Sequence, residues 1–381
     1  MGSHTMRILL APDKFRGSLT ARQVANAMAE GVRLALPDAD VATLPLADGG
    51  EGTAAVLTEA TNGTWHSVIV SDPLGRPVEA GFGVSGNGQT AFVEMAQASG
   101  LALLTVDTQD PGQTNTFGTG ELLLRAVATG VTSVVLGIGG SATNDGGIGM
   151  AAALGWQFLD ALGATLEPIG NNLAHIRQLV PPPLPPFPGV QFWVACDVTN
   201  SLCGPSGATF VYGPQKGASP EQLVLLDDGL RNLARCIQEQ FGIDVADVPG
   251  AGAAGGLGAG ALFFLKATLQ SGVSLVLDAV GFDEHLAGTD LAITGEGKLD
   301  RQTLDGKLLK GVTDRANRAN VPVVALCGTL DLTPAEIDAL GLRATFSVLT
   351  KPQRLDEAVL TAHDDVVRAT FAVCRLFFRS P

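Results

Sequence analysis

Residues 7–53 read RILLAPDKFRGSLTARQVANAMAEGVRLALPDADVATLPLADGGEGT, and this stretch decides the fold. Arg7–Ala11 is a short apolar run that stops at Pro12-Asp13, as a strand buried on both faces does. Val24, Ala27, Met28, Gly31, Val32 and Ala35 then recur at three- and four-residue spacing. That pattern predicts a helix with one apolar face, N-capped by Ser18 or Thr20. Val41–Leu46 is a second apolar run and ends in Ala47-Asp-Gly-Gly-Glu-Gly-Thr. Strand, helix and strand in this order predict a βαβ unit in a parallel sheet.

Further along, the texture changes. Ser67–Val84 carries Asp72-Pro-Leu-Gly-Arg-Pro between β-rich stretches, and Ala91–Ala96 follows, which suggests antiparallel hairpins and a domain boundary near residues 70–75. Thr116–Thr129 is helical in pattern and Val131–Ile138 reads as a buried strand. Pro181–Pro188 is a stiff surface connector. Leu291–Thr294, Val321–Leu326 and Ala344–Leu349 return to the βα pattern of the start. The expectation is an α/β protein of two α/β domains. A Rossmann-like parallel-sheet domain is built from both chain ends, 6–72 and 276–381, and a second α/β domain, 73–275, is inserted into it.

The bulk properties narrow the function. The 381 residues are 46% apolar and only 16% charged, yet no uninterrupted apolar run approaches the ~18 residues a membrane helix needs. A net charge of −14 argues against nucleic acid and anionic membrane as partners, because both require basic surfaces. The five cysteines form no CxxC pair and no secretory signal is evident, so reduced thiols and a cytoplasmic location are expected. Met1-Gly-Ser-His-Thr reads as an expression scar, which puts the native start at Met6.

Glycine is over-used at 48 residues, and the glycines gather with polar residues into four segments that follow apolar runs. Open α/β sheets bind ligands at the carboxyl ends of their strands, where such segments lie. Ala11–Leu19 places Asp13, Lys14, Arg16 and Ser18 before a helix N-terminus, where anions are welcome. Ala47–Thr53 offers Asp48 and Glu51, a pair that could hold Mg²⁺. Gly137–Gly149 contains Gly139, Gly140, Ser141, Ala142, Thr143, Asn144 and Gly146, a loop able to cradle phosphate oxygens with amides and hydroxyls. It is not a Walker A loop, since GxxxxGK[ST] is absent. Thr294–Lys307 adds Glu296, Lys298, Asp300, Gln302, Thr303 and Lys307. Three of the seven lysines thus fall in two of these segments, so an acidic chain concentrates its scarce cations where phosphoryl transfer would need them.

Two lesser segments are Ala195–Gly204, with Asp197 and Asn200, and Gly250–Gly258, with Gly255 and Gly256. The second contains a literal GxGxxG but follows Asp-Val-Pro rather than a strand, which favours close helix packing or a ligand-facing helix start over a dinucleotide fingerprint. The histidines have no metal-ligand spacing, and GxSxG is absent. Rival readings are an NAD-dependent dehydrogenase and a non-catalytic sensor; the crowding of cations and carboxylates favours chemistry over mere binding.

Taken together, Ala11–Leu19, Leu46–Thr53, Gly137–Gly147, Cys196–Asn200, Gly250–Gly256 and Thr294–Lys307 resemble the bacterial type I glycerate kinase (glycerate 2-kinase) family. The blocks occur in the family's order and span nearly the whole chain. Two of them depart from its pattern: Lys14 and Arg16 stand where Ser and Lys are usual, and Ser201 stands where Pro is usual. The resemblance implies ATP, Mg²⁺, D-glycerate as substrate and 2-phosphoglycerate as product, with the site in the cleft between two domains. A kinase for another small hydroxy acid is the nearest alternative. A homodimer is compatible with such a chain.

On this reading Asp13 or Asp197 accepts the substrate hydroxyl proton. Lys14 and Arg16 hold the substrate carboxylate or the transferring phosphoryl group, and Lys307 neutralises charge in the transition state. The nucleotide is expected at Gly139–Asn144 and Gly146, with Gly255 and Gly256 beside it. Ser18, Asp48, Glu51, Asn200, Glu296, Gln302 and Thr303 are candidates for orienting the substrate, and Asp48 and Asp300 for binding metal.

Overall fold

The computed structural model describes residues 5–15, 17–47, 52–300, 303, 307–351 and 353–378, excluding the side chains of Lys307 and Leu355. In chain order the strands begin with β1 Arg7–Leu10 and β2 Asp40–Thr43. There follow β3 Thr64–Ser71, β4 Pro77–Val84, β5 Thr90–Glu94, β6 Ser133–Gly137, β7 Gln157–Leu159, β8 Gln178–Val180, β9 Gln191–Ala195 and β10 Thr268–Gln270. The chain ends with β11 Leu291–Leu299, β12 Val323–Leu330 and β13 Ala344–Ser347. Two compact units result: Met1–Asp48 with Val276–Pro381, and Gly49–Leu275.

The first unit is a parallel sheet in the order β13-β12-β11-β1-β2. Ile8, Leu9 and Leu10 are fully buried, as a strand covered by helices on both faces requires. The predicted helix spans Ala21–Ala35. Thr20 caps it through a reciprocal capping box with Gln23, and it buries Val24, Ala27, Met28, Gly31, Val32 and Ala35. At Gly31 a Cβ would sit 2.5 Å from Val367 O, so only glycine admits the final helix, Leu355–Phe378, this closely. The register pairs Leu10 with Ile293 across some 280 residues of intervening chain, so β1 and β11 are neighbours although the whole second unit separates them.

The second unit has a six-stranded sheet, β10-β9-β6-β5-β4-β3, and a small β7–β8 pair. β5, β6, β9 and β10 run parallel, whereas β3, β4 and β5 form an antiparallel meander. The change of texture expected after Ser67 is therefore present, but it is not a domain junction. β3 is paired with β4 along its whole length, from Thr64↔Val84 to Ser71↔Pro77. The Asp72–Arg76 segment is a hairpin turn in which the Asp72 carboxylate accepts Leu74 N, Arg76 N and Arg76 Nε. The first junction lies at residues 48/49 rather than near 70–75, because the hairpin carries 64–71 into the second sheet.

Each unit has its own apolar core. Among the described residues no helix is long and apolar enough to cross a membrane.

Candidate active site

Of the six polar segments, Ala11–Leu19 and Thr294–Lys307 belong to the first unit, Gly137–Gly149, Ala195–Gly204 and Gly250–Gly258 to the second, and Ala47–Thr53 crosses the 48/49 junction. In the first unit, parallel pairing aligns the carboxyl ends of β1, β2 and β11. Ala11 N donates to Ile293 O and Asp13 N to Gly295 O, each at 2.8 Å, while Thr294 Oγ1 donates to Ala11 O at 2.8 Å. Leu46 N donates to Pro12 O at 2.9 Å, so the run leading to Asp48 is tied to the same strand end. Segments roughly 280 residues apart in sequence thereby become one surface.

Asp13 is largely buried, and its Oδ1 accepts Lys14 N at 2.7 Å. Ser18 lies in the turn before the helix, donating to Phe15 O at 3.0 Å. Glu296 extends from β11 and accepts Thr303 Oγ1 at 2.9 Å; that hydroxyl in turn accepts Asp300 N at 3.1 Å. Thr303, expected on the substrate, is buried and holds Glu296 and the turn at Asp300 in place. Asp300 pairs with Lys298 at 2.6 Å. Arg16, Asp48, Glu51 and Gln302 lie outside the described residues, as does the side chain of Lys307, which opens the helix Lys307–Arg318.

In the second unit the loop after β6 starts exposed at Gly139 and Gly140 and then turns inward, so that 141–147 are buried. Its rim is pinned by Leu101 N to Gly140 O at 2.8 Å and Ala142 N to Ser99 O at 2.9 Å. Gly140 has φ +73°, which favours glycine. Of the residues expected to meet nucleotide, Gly139 and Gly140 are exposed and Ser141 begins the buried stretch. Ala142, Thr143, Asn144 and Gly146 form the buried stem, and the Asn144 amide is spent on Thr209 Oγ1. Gly255 and Gly256 belong to this stem. Gly146 N donates to Gly255 O at 3.0 Å, and a Cβ on Gly255 would lie 2.0 Å from Thr143 O. Their role here is close packing at the start of the helix Ala253–Phe264, which no strand immediately precedes, so the GxGxxG is no dinucleotide fingerprint.

Asn200 joins the same set. Its backbone O accepts Gly252 N at 3.0 Å, its Nδ2 donates to Ser206 O and its Oδ1 accepts Tyr212 OH. Asp197, half-buried after β9, accepts Gly272 N on Oδ1 at 3.0 Å.

The sequence model described as the Glycerate kinase family matches residues 8–378. The chain belongs to the glycerate kinase family. It is 44% identical to the glycerate 2-kinase of Escherichia coli K12 over 96% of both chains. To the glycerate kinase of Halalkalibacterium halodurans it is 46% identical, over 92% of this chain and 93% of that one. A crystal structure from Salmonella typhimurium LT2, assigned to glycerate kinase 2, superposes with TM-score 0.89 at 42% identity over 98% of each chain. As a member of this family the protein is a phosphotransferase with an alcohol acceptor.

Three residues of this kinase escaped sequence reasoning. Glu94, at the end of β5, accepts Gly52 N and Ala54 N, and so fixes the first turn of the helix Thr53–Ala60. Asp145 is fully buried and accepts Thr116 N, Thr116 Oγ1, Gly147 N and Gly149 N. Burial pushes its carboxyl above the ordinary range, while these donors, led by the Thr116 hydroxyl, pull it back. Lys216 is only 2% exposed and donates from Nζ to Ser141 Oγ and Thr143 O, each at 2.7 Å. The signal for Lys216 was available: it is one of only seven lysines, set between Gly-Pro-Gln and Gly.

Proposed function

We propose that this enzyme transfers the γ-phosphoryl group of ATP to the 2-hydroxyl of D-glycerate, releasing ADP and 2-phosphoglycerate. The observation that carries the reading is the match to the Escherichia coli glycerate 2-kinase across nearly the whole of both chains. The grouping of the polar segments at strand carboxyl ends supports it, because phosphoryl transfer is mainly positioning and charge stabilisation.

In this mechanism the rim at Gly139–Ser141 takes phosphate oxygens. Lys14 and Arg16 hold the glycerate carboxylate or the migrating phosphoryl group, and Glu296 orients a substrate hydroxyl. Asp13 or Asp197 accepts the proton of the 2-hydroxyl as its oxygen bonds to the γ-phosphorus and the bond to the ADP oxygen breaks. Lys307 supplies a compensating charge.

The donor set also bears on the metal. Among the described residues no group of three His, Cys, Asp or Glu is arranged to hold an ion, and the Asp300 carboxylate is already paired with Lys298. Asp48 and Asp300 would hold Mg²⁺ that arrives with ATP, which is usually bound through one or two carboxylates plus phosphate oxygens. When bound, Mg²⁺ neutralises charge on the phosphate oxygens.

The test is to incubate the protein with Mg·ATP and a panel of small hydroxy acids and to follow ADP. D-glycerate should give the highest kcat/KM. A higher value for another hydroxy acid would move the substrate assignment, and NADH formation from NAD without ATP would replace the reaction class.

A further inference from the structure

The buried lysine beneath the Gly-rich rim is unexplained by anything above. Lys216 ends the turn Pro214–Lys216, which is clamped in place because a Cβ on Gly217 would lie 2.5 Å from Gln109 O. The turn aims Nζ at Ser141 Oγ and Thr143 O, both at 2.7 Å. A buried ammonium is costly, and a methionine of similar length would pack without that cost. The polar geometry around it suggests what the charge does.

An ammonium has three donors and no acceptor, whereas a serine hydroxyl has one donor and two lone pairs. Ser141 Oγ must therefore accept from Lys216, and its own proton must point away from Nζ. Ser141 sits where the loop passes from the exposed Gly139 and Gly140 to the buried Ala142–Gly147, with that proton left for an acceptor other than Nζ. Beside it, two positions along the loop, Thr143 Oγ1 is among the described residues' buried polar atoms without a hydrogen-bond partner, a further unsatisfied hydroxyl in the same loop.

We propose that Lys216 is a positioning residue of the nucleotide site, which fixes the Ser141 hydroxyl as an outward donor to a phosphate oxygen of ATP and sets a buried positive charge behind the Gly139–Ser141 rim. The proposal rests on the reading that this rim takes the phosphates of ATP.

Removal of the Lys216 proton reverses the arrangement. A neutral amine can accept from Ser141, which turns the hydroxyl inward and withdraws both donor and charge. Burial pushes the Lys216 pKa down to about 7, partly opposed by the Asp145 carboxylate. Of the other charged groups on neighbouring elements, Asp110 accepts Gly112 N and Gln222 Nε2, and Glu221 is paired with Ser219 Oγ. Bound phosphate favours the charged amine, so ATP binding draws in a proton at pH values above about 7, and affinity falls as pH rises.

The experiment is isothermal titration of ATP, without acceptor, in pairs of buffers of different ionisation enthalpy. The range is about pH 7.5 to 9, above the phosphate ionisation at about 6. The wild-type protein should take up a fraction of a proton, and its Kd should rise by up to about tenfold per pH unit, the limit for one coupled proton. Lys216→Met should bind about tenfold more weakly at pH 7.5, as a lost charge-assisted contact does, with no proton uptake and a flat profile. Ser141→Ala should weaken binding similarly, and the double variant should be no weaker than either single. Should Lys216→Met fail to fold, the wild-type proton uptake and the Ser141→Ala loss decide alone. ATP binding without proton uptake, or additive losses in the double variant, would overturn the role of Lys216 while leaving the rim reading intact. Absence of ATP binding to the folded wild type would overturn that reading and the proposal with it.

Discussion

The two sets of segments are built on different principles. In the first unit the polar segments present charged side chains at strand ends, Asp13, Lys14, Glu296, Lys298 and Asp300, steadied by hydrogen bonds between backbones. In the second they present a glycine rim and a serine hydroxyl, and the charges, Lys216 and Asp145, are buried beneath. A side-chain site can be tuned to a particular acid by exchanging residues, which is where Lys14 and Arg16 depart from the family pattern. A backbone site recognises what all triphosphates share and tolerates little change. Substrate choice should therefore follow the first unit and nucleotide binding the second.

The sharpest way to break the comparison is to ask which unit supplies the base. Asp13→Ala and Asp197→Ala should differ. The one that accepts the proton loses about 10²–10⁴ in kcat, while the other changes mainly KM. Large equal losses in both would mean that the two carboxylates act as a unit.

Next comes the buried support. Asp145→Ala strips the acceptor from four buried donors and removes the carboxylate that favours the charged Lys216, at a cost of about 3 kcal/mol. Urea denaturation should show the loss. A cost below about 1 kcal/mol, typical of an exposed pair, would show that the network is not structural.

Paired glycine substitutions separate packing from function. Gly255→Ala drives a Cβ against Thr143 O at a φ of +66° and should misplace the rim, lowering kcat/KM for ATP by about 10²-fold. Gly31→Ala overpacks the helix pair of the first unit and should cost about 1–3 kcal/mol of stability, with ATP affinity unchanged. If both variants lost ATP binding equally, the division of labour would fail.

A smaller effect concerns pH. The Lys216 pKa falls from 10.5 in the unfolded chain to about 7 in the fold, so the unfolded chain binds more protons between those values. Stability from this group therefore rises with pH across that window, and the folded protein bears the full cost of a buried charge below about 7. Relative to Lys216→Met, the wild type should gain up to about 1.4 kcal/mol per pH unit between about pH 7.5 and 9.5. Denaturation series at several pH values read this directly, and a constant difference would contradict it.

Much of the fold was legible because residues 7–35 carry two unmistakable patterns: an apolar run that the structure buries at Ile8–Leu10, and a helical stripe that it buries residue for residue. The junction was not, because Asp72-Pro-Leu-Gly-Arg-Pro has the composition of a linker and the geometry of a hairpin turn. Individual site segments were legible through their glycines and polar residues. How they group was not, since Ala11 meets Ile293 only through sheet register. Lys216 follows no strand and reaches Ser141 across 75 residues, a contact no local pattern encodes. Asp145 stood within the Gly-rich run, but nothing local distinguishes a buried acceptor from a turn residue.

The central claim is that this chain phosphorylates the 2-hydroxyl of D-glycerate. Phosphorus and proton NMR of the product formed from Mg·ATP and D-glycerate tests it most directly. The account predicts 2-phosphoglycerate in stoichiometric balance with ADP. Phosphate on the 3-hydroxyl, or ADP formation independent of glycerate, would contradict it.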